Sequence, residues 1–191
     1  MGNPSFSQQW KMVSDSANYW IVFCAPLIVA VFVTQLILLH KYPLDKHVLE
    51  VAALFVTAGF CGLCFTRFLL SKDRFFLWAA GMMAVLLVRE IHPPGSSAGV
   101  YLGLLGLFYM AYKKHHLFAD YIRSNYLVTM LGIGFFSYFL GVTTDQRFWQ
   151  FLPAEKLFHT RLEESLEMLG HISIGLALLF ATKNKKTAEN S

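Results

Sequence analysis

Charge is scarce in this chain: Asp, Glu, Lys and Arg supply 15% of its 191 residues, against roughly a quarter in soluble domains. With 55% hydrophobic and 16% aromatic residues, a charged surface cannot be assembled around one compact core, which excludes a soluble enzyme. Hydrophobicity this high also excludes disorder, the 13 glycines and 6 prolines are too few for a collagen-like chain, and three cysteines cannot staple a disulfide scaffold. The pattern of a cleaved secretory signal is missing, because residues 1–19 are polar and the first apolar run is full length. The net charge of +4 is spread as short clusters between apolar runs instead of one stripe. That excludes nucleic acid as the expected partner and leaves the lipid bilayer.

A hydrocarbon core about 30 Å thick needs about 20 apolar helical residues, or about 17 at the short end. Four runs qualify outright: 20–39, 48–70, 75–91 and 162–182. Two more, 98–112 and 126–142, are shorter but uncharged, rich in Gly, Leu and aromatics, and bounded by polar loops. The expected fold is therefore all-α, a single integral membrane bundle of six transmembrane helices with short loops and neither internal repeat nor second domain. An even number of spans puts both termini on one side. Ten of the 16 Lys and Arg residues fall on that side, so the positive-inside rule makes both termini cytoplasmic.

In that orientation the acids and imidazoles crowd the opposite, outward end. The last span opens Thr160-Arg-Leu-Glu-Glu-Ser-Leu-Glu-Met-Leu-Gly-His171. Thr160 and Glu163 fit a capping box and acids in a first turn suit the macrodipole, but neither explains residues one and two turns further in. Glu164, Glu167 and His171 have the i, i+3, i+7 spacing that gathers three side chains on one helix face. An ionisable group at that depth is expected to face a partner inside the bundle. The expected partner is Arg89-Glu90-Ile91-His92, where the third span stops at Pro93-Pro94. Arg89 either snorkels to the surface or offers its guanidinium to Glu164 or Glu167. Asp145 and Arg147 are expected to form a surface pair beside an aromatic anchor, Phe148, Trp149 and Phe151.

The ligand-binding candidates are thus Arg89, Glu90, Glu164, Glu167 and His171, lining an outward polar pocket for a cation, a proton or a polar lipid headgroup. Glu90, His92, Glu164, Glu167 and His171 are also of the types that ligate zinc, iron or manganese, which makes a divalent metal ion one candidate cofactor. The paired Glu-x-x-His motifs of a di-iron bundle are absent. A membrane-embedded hydrolase is the alternative, using metal-bound water among these residues or Ser97 with His171. In it Glu167, His171 and Ser97 are the catalytic candidates, Ser97 lying in Gly95-Ser-Ser97-Ala-Gly99. The sequence leaves open whether the chain is an enzyme. Cys61 and Cys64 read as small buried hydrophobes. Gly99, Gly103 and Gly106 form a smooth strip for close helix packing, or for self-association into a homo-oligomer.

Ser97 opening the fourth span, with His171 inside the sixth, resembles the layout of rhomboid intramembrane serine proteases, although Ala98 stands where that family has Gly. The alkaline ceramidase and progestin-receptor-like hydrolases are similar in scale, but their His-x-x-x-His pair would need a histidine where Glu167 stands. Closer is a resemblance to uncharacterised multi-pass bacterial inner-membrane proteins that end one helix with Arg-Glu and open the last with Glu-Glu-x-x-Glu. Here these are Arg89-Glu90 and Glu163-Glu164-Ser-Leu-Glu167, and the likeness runs from the third span onward. It implies location in a bacterial inner membrane, and names no reaction.

Overall fold

The computed structural model describes residues 6–41, 43, 45–91, 96–152 and 154–183, with the backbone alone at positions 6, 9, 12 and 96–98. Among the described residues all regular structure is helical. The elements are α1 (Phe6–Ser16), α2 (Tyr19–Leu38), α3 (Lys46–Ser71), α4 (Arg74–Ile91), α5 (Ser96–Lys113), α6 (Ala119–Ile122), α7 (Asn125–Asp145) and α8 (Glu155–Leu179), with a 3-10 turn at His115–Leu117. The long helices α2, α3, α4, α5, α7 and α8 alternate in direction. The end where α4 stops and α8 begins is called the upper end below.

Among the described residues three helices, α2, α3 and α7, are long and apolar enough to cross a membrane. Each of α2 and α3 buries only a narrow stripe, Val22, Pro26, Val33 and Ile37 on one, Leu49, Ala53, Thr57 and Cys64 on the other. Trp20, Ile28, Phe55 and Leu70 face outward instead. An apolar exterior on helices whose backbone hydrogen bonds close internally suits hydrocarbon as the solvent. By contrast α8 is central, packed against α2, α3, α4 and α7, and its buried positions run round the cylinder, Leu166, Gly170, His171, Ser173, Ile174 and Gly175 among them. A helix buried on all sides is apolar all round unless its polar groups find partners. Lower down, Ile174 and Leu178 join Phe75, Met82 and Met83 in one buried apolar cluster.

Local signals set the ends. The Asn18 side chain accepts from the Ile21 N–H and caps α2, while the Asn18 N–H donates to Thr129 Oγ1 on α7 at 3.0 Å. Asp45 caps α3 through the Val48 N–H, and α3 ends where Lys72 turns left-handed, φ 56°. Asp73 then does three things at the lower end: it accepts from the Phe75 N–H, from the Tyr121 hydroxyl at 2.7 Å, and pairs with Lys183 at 2.8 Å. This clasp ties the α3–α4 turn to α6 and to the segment after α8. Burial opposes ionisation of Asp73, but the Lys183, Tyr121 and Phe75 hydrogen bonds outweigh it and hold the carboxyl below its usual range. Burial and the bond to Asp73 push the Tyr121 hydroxyl up. Arg67 joins the same end, donating to the Ala181 carbonyl at 3.1 Å and lying over the Phe76 ring.

The structure departs from several expectations. The last helix begins at Glu155, not near residue 162, and ends at Leu179. Its start is therefore not the Thr160–Glu163 capping box. Ala154 leads in with φ 62° and no side-chain cap, and Thr160 Oγ1 meets His159 Nε2 at 3.0 Å within the helix. Arg147 pairs with Glu155, not with Asp145, through Nη2–Oε2 at 2.8 Å and Nε–Oε1 at 3.2 Å. That fork holds the α7–α8 turn and keeps the Glu155 carboxyl below its usual range. Part of the polar leader is also helical, as α1, which touches α6 and α7. Finally, of the glycines proposed as a strip on α5, Gly103 meets Val85 on α4, whereas a Cβ at Gly99 or Gly106 would meet nothing within 4 Å among the described residues.

Candidate functional site

Arg89 and Glu90 sit in the last turn of α4, and α8 passes beside them with Glu167 and His171 one turn apart. The approach of α7 to α8 is set by small residues. A Cβ on Gly134 would lie 3.2 Å from the Gly170 carbonyl oxygen, and one on Gly170 would lie 3.3 Å from that of Gly134. Close backbones of this kind are how helices associate where the hydrophobic effect is absent. The same glycines make room for polar side chains. The Tyr138 ring fills the space in front of Gly170, and the Glu167 side chain crosses Gly141, where a Cβ would come within 3.3 Å of its Cγ.

The result is a polar network of five side chains from three helices. Arg89 Nη2 donates to Glu167 Oε1 in an ion pair. The Arg89 guanidinium also lies over the Tyr138 ring, 5.2 Å from its centroid. The Tyr138 hydroxyl is 2.7 Å from His171 Nδ1, and His171 Nε2 is 3.0 Å from Glu90 Oε1. The rings of Tyr138 and His171 meet edge to face. His171 is fully buried, and Glu167 nearly so. With Tyr138 donating to Nδ1 and Nε2–H donating to Glu90, neutral His171 is satisfied on both nitrogens. A second proton on Nδ1 turns the Tyr138 hydroxyl into the acceptor, and both ring contacts persist.

Glu164 lies one turn above, half-buried, and takes a different partner: Lys46 Nζ, 3.7 Å from Glu164 and 3.4 Å from Glu50. Glu163 is half-buried at the same level. The acids of α8 thus descend from Glu163 and Glu164 through Glu167 to His171, about 12 Å along the axis at 1.5 Å per residue. Below His171 the apolar cluster begins, and the ladder stops there.

Of the site residues expected from sequence, the structure brings together Arg89, Glu90, Glu167 and His171, and sets Glu164 apart on Lys46. His92 lies outside the described residues. Ser97 falls in the first turn of α5, and its side chain is likewise not described. Among the described residues no group of three or more His, Cys, Asp or Glu side chains is placed to hold a metal ion. Tyr138 was missed. Its signal is a tyrosine in an apolar span with Gly134 four residues before it and Gly141 three after, which marks the face that meets another helix. The cysteines carry no disulfide: Cys64 is buried, Cys24 is exposed, and Cys61 lies near the Ala80 carbonyl. No family model matches this chain, and neither a curated protein nor a solved structure is significantly similar to it.

Proposed function

We propose that this is a multi-pass integral membrane protein, of six spans with both termini cytoplasmic, whose buried Arg89–Glu90–Tyr138–Glu167–His171 network binds a proton or a small cation arriving from the outward, upper end. A bacterial inner membrane is the proposed location, on the residues shared with the multi-pass proteins named above. One observation carries the binding reading. His171, fully buried, stands between the Tyr138 hydroxyl and the Glu90 carboxylate, with the Arg89–Glu167 pair beside it, so an imidazole and two carboxylates share one buried enclosure beneath the acids of the upper end. Ionisable groups gathered at such a depth mark proton and ion sites.

The surroundings support binding over passage. The acids lead inward as far as His171, and among the described residues no further acid or histidine of α8 follows it toward the apolar cluster beneath. A hydrolase is less well supported, because Tyr138 and Glu90 already occupy both nitrogens of His171. The test is a histidine titration by nitrogen NMR on protein in nanodiscs from pH 5 to 9, repeated with sodium, magnesium and zinc. The reading expects the His171 and Tyr138 signals to respond to pH or, at saturation, to one of the three cations, and Glu90→Gln to alter that response. A His171 signal unmoved by pH and by all three cations overturns it. Stoichiometric zinc or iron in purified protein, or labelling of Ser97 by a fluorophosphonate, would support the hydrolytic alternative instead.

A further inference from the structure

Beside Arg89 a second feature opens. A cavity of about 330 Å³ runs between α4, α5 and α7, with Arg89, Tyr138, Asp145 and Gln146 at its upper part. Leu86, Val100, Leu104, Phe135 and Val142 form its apolar walls. The volume is at the low end for ligand pockets. Its lining along α7 extends from Phe135 to Gln146, about 16 Å of helix at 1.5 Å per residue. That is about half the 30 Å hydrocarbon core, or one leaflet. Phe135 meets Phe108 of α5 at 5.7 Å and closes the bottom. Above that contact α5 rests on α4, so the slot lies along the α5–α7 edge of the bundle.

The polarity of the slot follows that of a leaflet, polar at the membrane surface and apolar toward the midplane. The polar end carries both signs. A guanidinium has five N–H donors, and Arg89 directs Nη2 to Glu167, leaving donors for an anionic oxygen. Asp145, which accepts from Gln146 at 3.1 Å, disfavours a purely anionic group and suits an ammonium. We propose that this slot holds one chain of a zwitterionic phospholipid, with the phosphate on Arg89 and a primary ammonium on Asp145. The inference rests on the membrane reading above and shares Arg89 with the proton site, but requires no change of protonation.

The test is lipid retention. Protein purified in detergent is supplied in turn with palmitoyl-oleoyl phosphatidylethanolamine, the matching phosphatidylglycerol and the matching diacylglycerol, and bound lipid is counted by native mass spectrometry. Wild type is expected to keep one phosphatidylethanolamine per chain, preferred about tenfold over diacylglycerol, a ratio that 1.4 kcal/mol sustains. Leu104→Trp and, from the opposite wall, Val142→Trp fill the slot and should each remove that retention, while Asp145→Asn should erase the preference over phosphatidylglycerol. Equal retention of all three lipids, a preference for phosphatidylglycerol, no retention, or retention unchanged in both tryptophan variants overturns the proposal. The His171 titration of the same wild-type sample reads the proton site separately, so failure of the slot and failure of the binding reading are distinguishable.

Discussion

Removing both halves of the Arg89–Glu167 pair should cost less than the sum of removing each alone. The pair is mostly shielded from solvent: the Arg89 side chain is 28% exposed and that of Glu167 10%. Unit charges about 4 Å apart attract by about 4 kcal/mol at an effective dielectric near 20. Truncating one partner of a buried pair costs about 3–5 kcal/mol, because the other charge is left unpaired. Arg89→Met takes the guanidinium from Glu167, and Glu167→Leu leaves Arg89 its contact with the Tyr138 face and its electrostatic attraction to Glu90. Each single variant should therefore lose about 3–5 kcal/mol at neutral pH, whereas the double variant packs two apolar side chains and should recover about 3 kcal/mol relative to the sum of the singles. Titration with dodecyl sulfate in mixed micelles, followed by helical circular dichroism, measures all four proteins. Single variants that each lose under about 1 kcal/mol, or a double variant equal to the sum of the singles, would refute the reasoning.

Tyr138→Phe should cost about 1–2 kcal/mol by leaving His171 Nδ1 unpartnered, and should move the His171 nitrogen shifts in the NMR titration; unchanged shifts would separate Tyr138 from the network. Gly134→Ala drives a Cβ into Ile174 Cγ1 and places it 3.2 Å from the Gly170 carbonyl, and should destabilise by about 1–3 kcal/mol through forced separation of α7 and α8, read in the same micelle assay. Asp73→Asn should cost about 1 kcal/mol at neutral pH. Because the folded carboxyl is held below its unfolded value, its contribution is complete above about pH 4 and lost as pH falls through the folded value, so the gap between Asp73→Asn and wild type should close below about pH 4 in a denaturation series. A gap that widens on acidification would reverse the sign of the argument.

The segmentation into apolar helices was legible because length and absence of charge are read directly off each run, and the observed helix ends lie within a few residues of the expected spans for all but α8. There the acids misled: Glu163 and Glu164 look like a first turn, but the helix has already made two turns from Glu155, stabilised by Arg147 arriving from the preceding loop. A pairing across a loop leaves no periodic trace. Within the site, Glu167 and His171 announced themselves as ionisable residues too deep for capping, and Arg89 as the end of an apolar run. Their sharing one network with Glu90 depends on the rotation of α4 against α8, which periodicity does not fix. Spacing alone also put Glu164 on the same face, yet a turn of height and the reach of Lys46 give it another partner. Tyr138 was illegible by type, since an aromatic in a span is usually packing, and only the glycines around it identify its face.

The buried site depends on Glu167 pointing into the bundle at Arg89 and not into lipid. Solid-state NMR on protein in bilayers, with nitrogen-labelled arginine and carbon-labelled glutamate carboxyls, measures that separation directly, with Glu167→Gln assigning the signal. A hydrogen-bonded pair predicts a guanidinium nitrogen within about 4 Å of the Glu167 carboxyl carbon. A dephasing curve that places every arginine nitrogen beyond about 6 Å, outside hydrogen-bond reach, contradicts it.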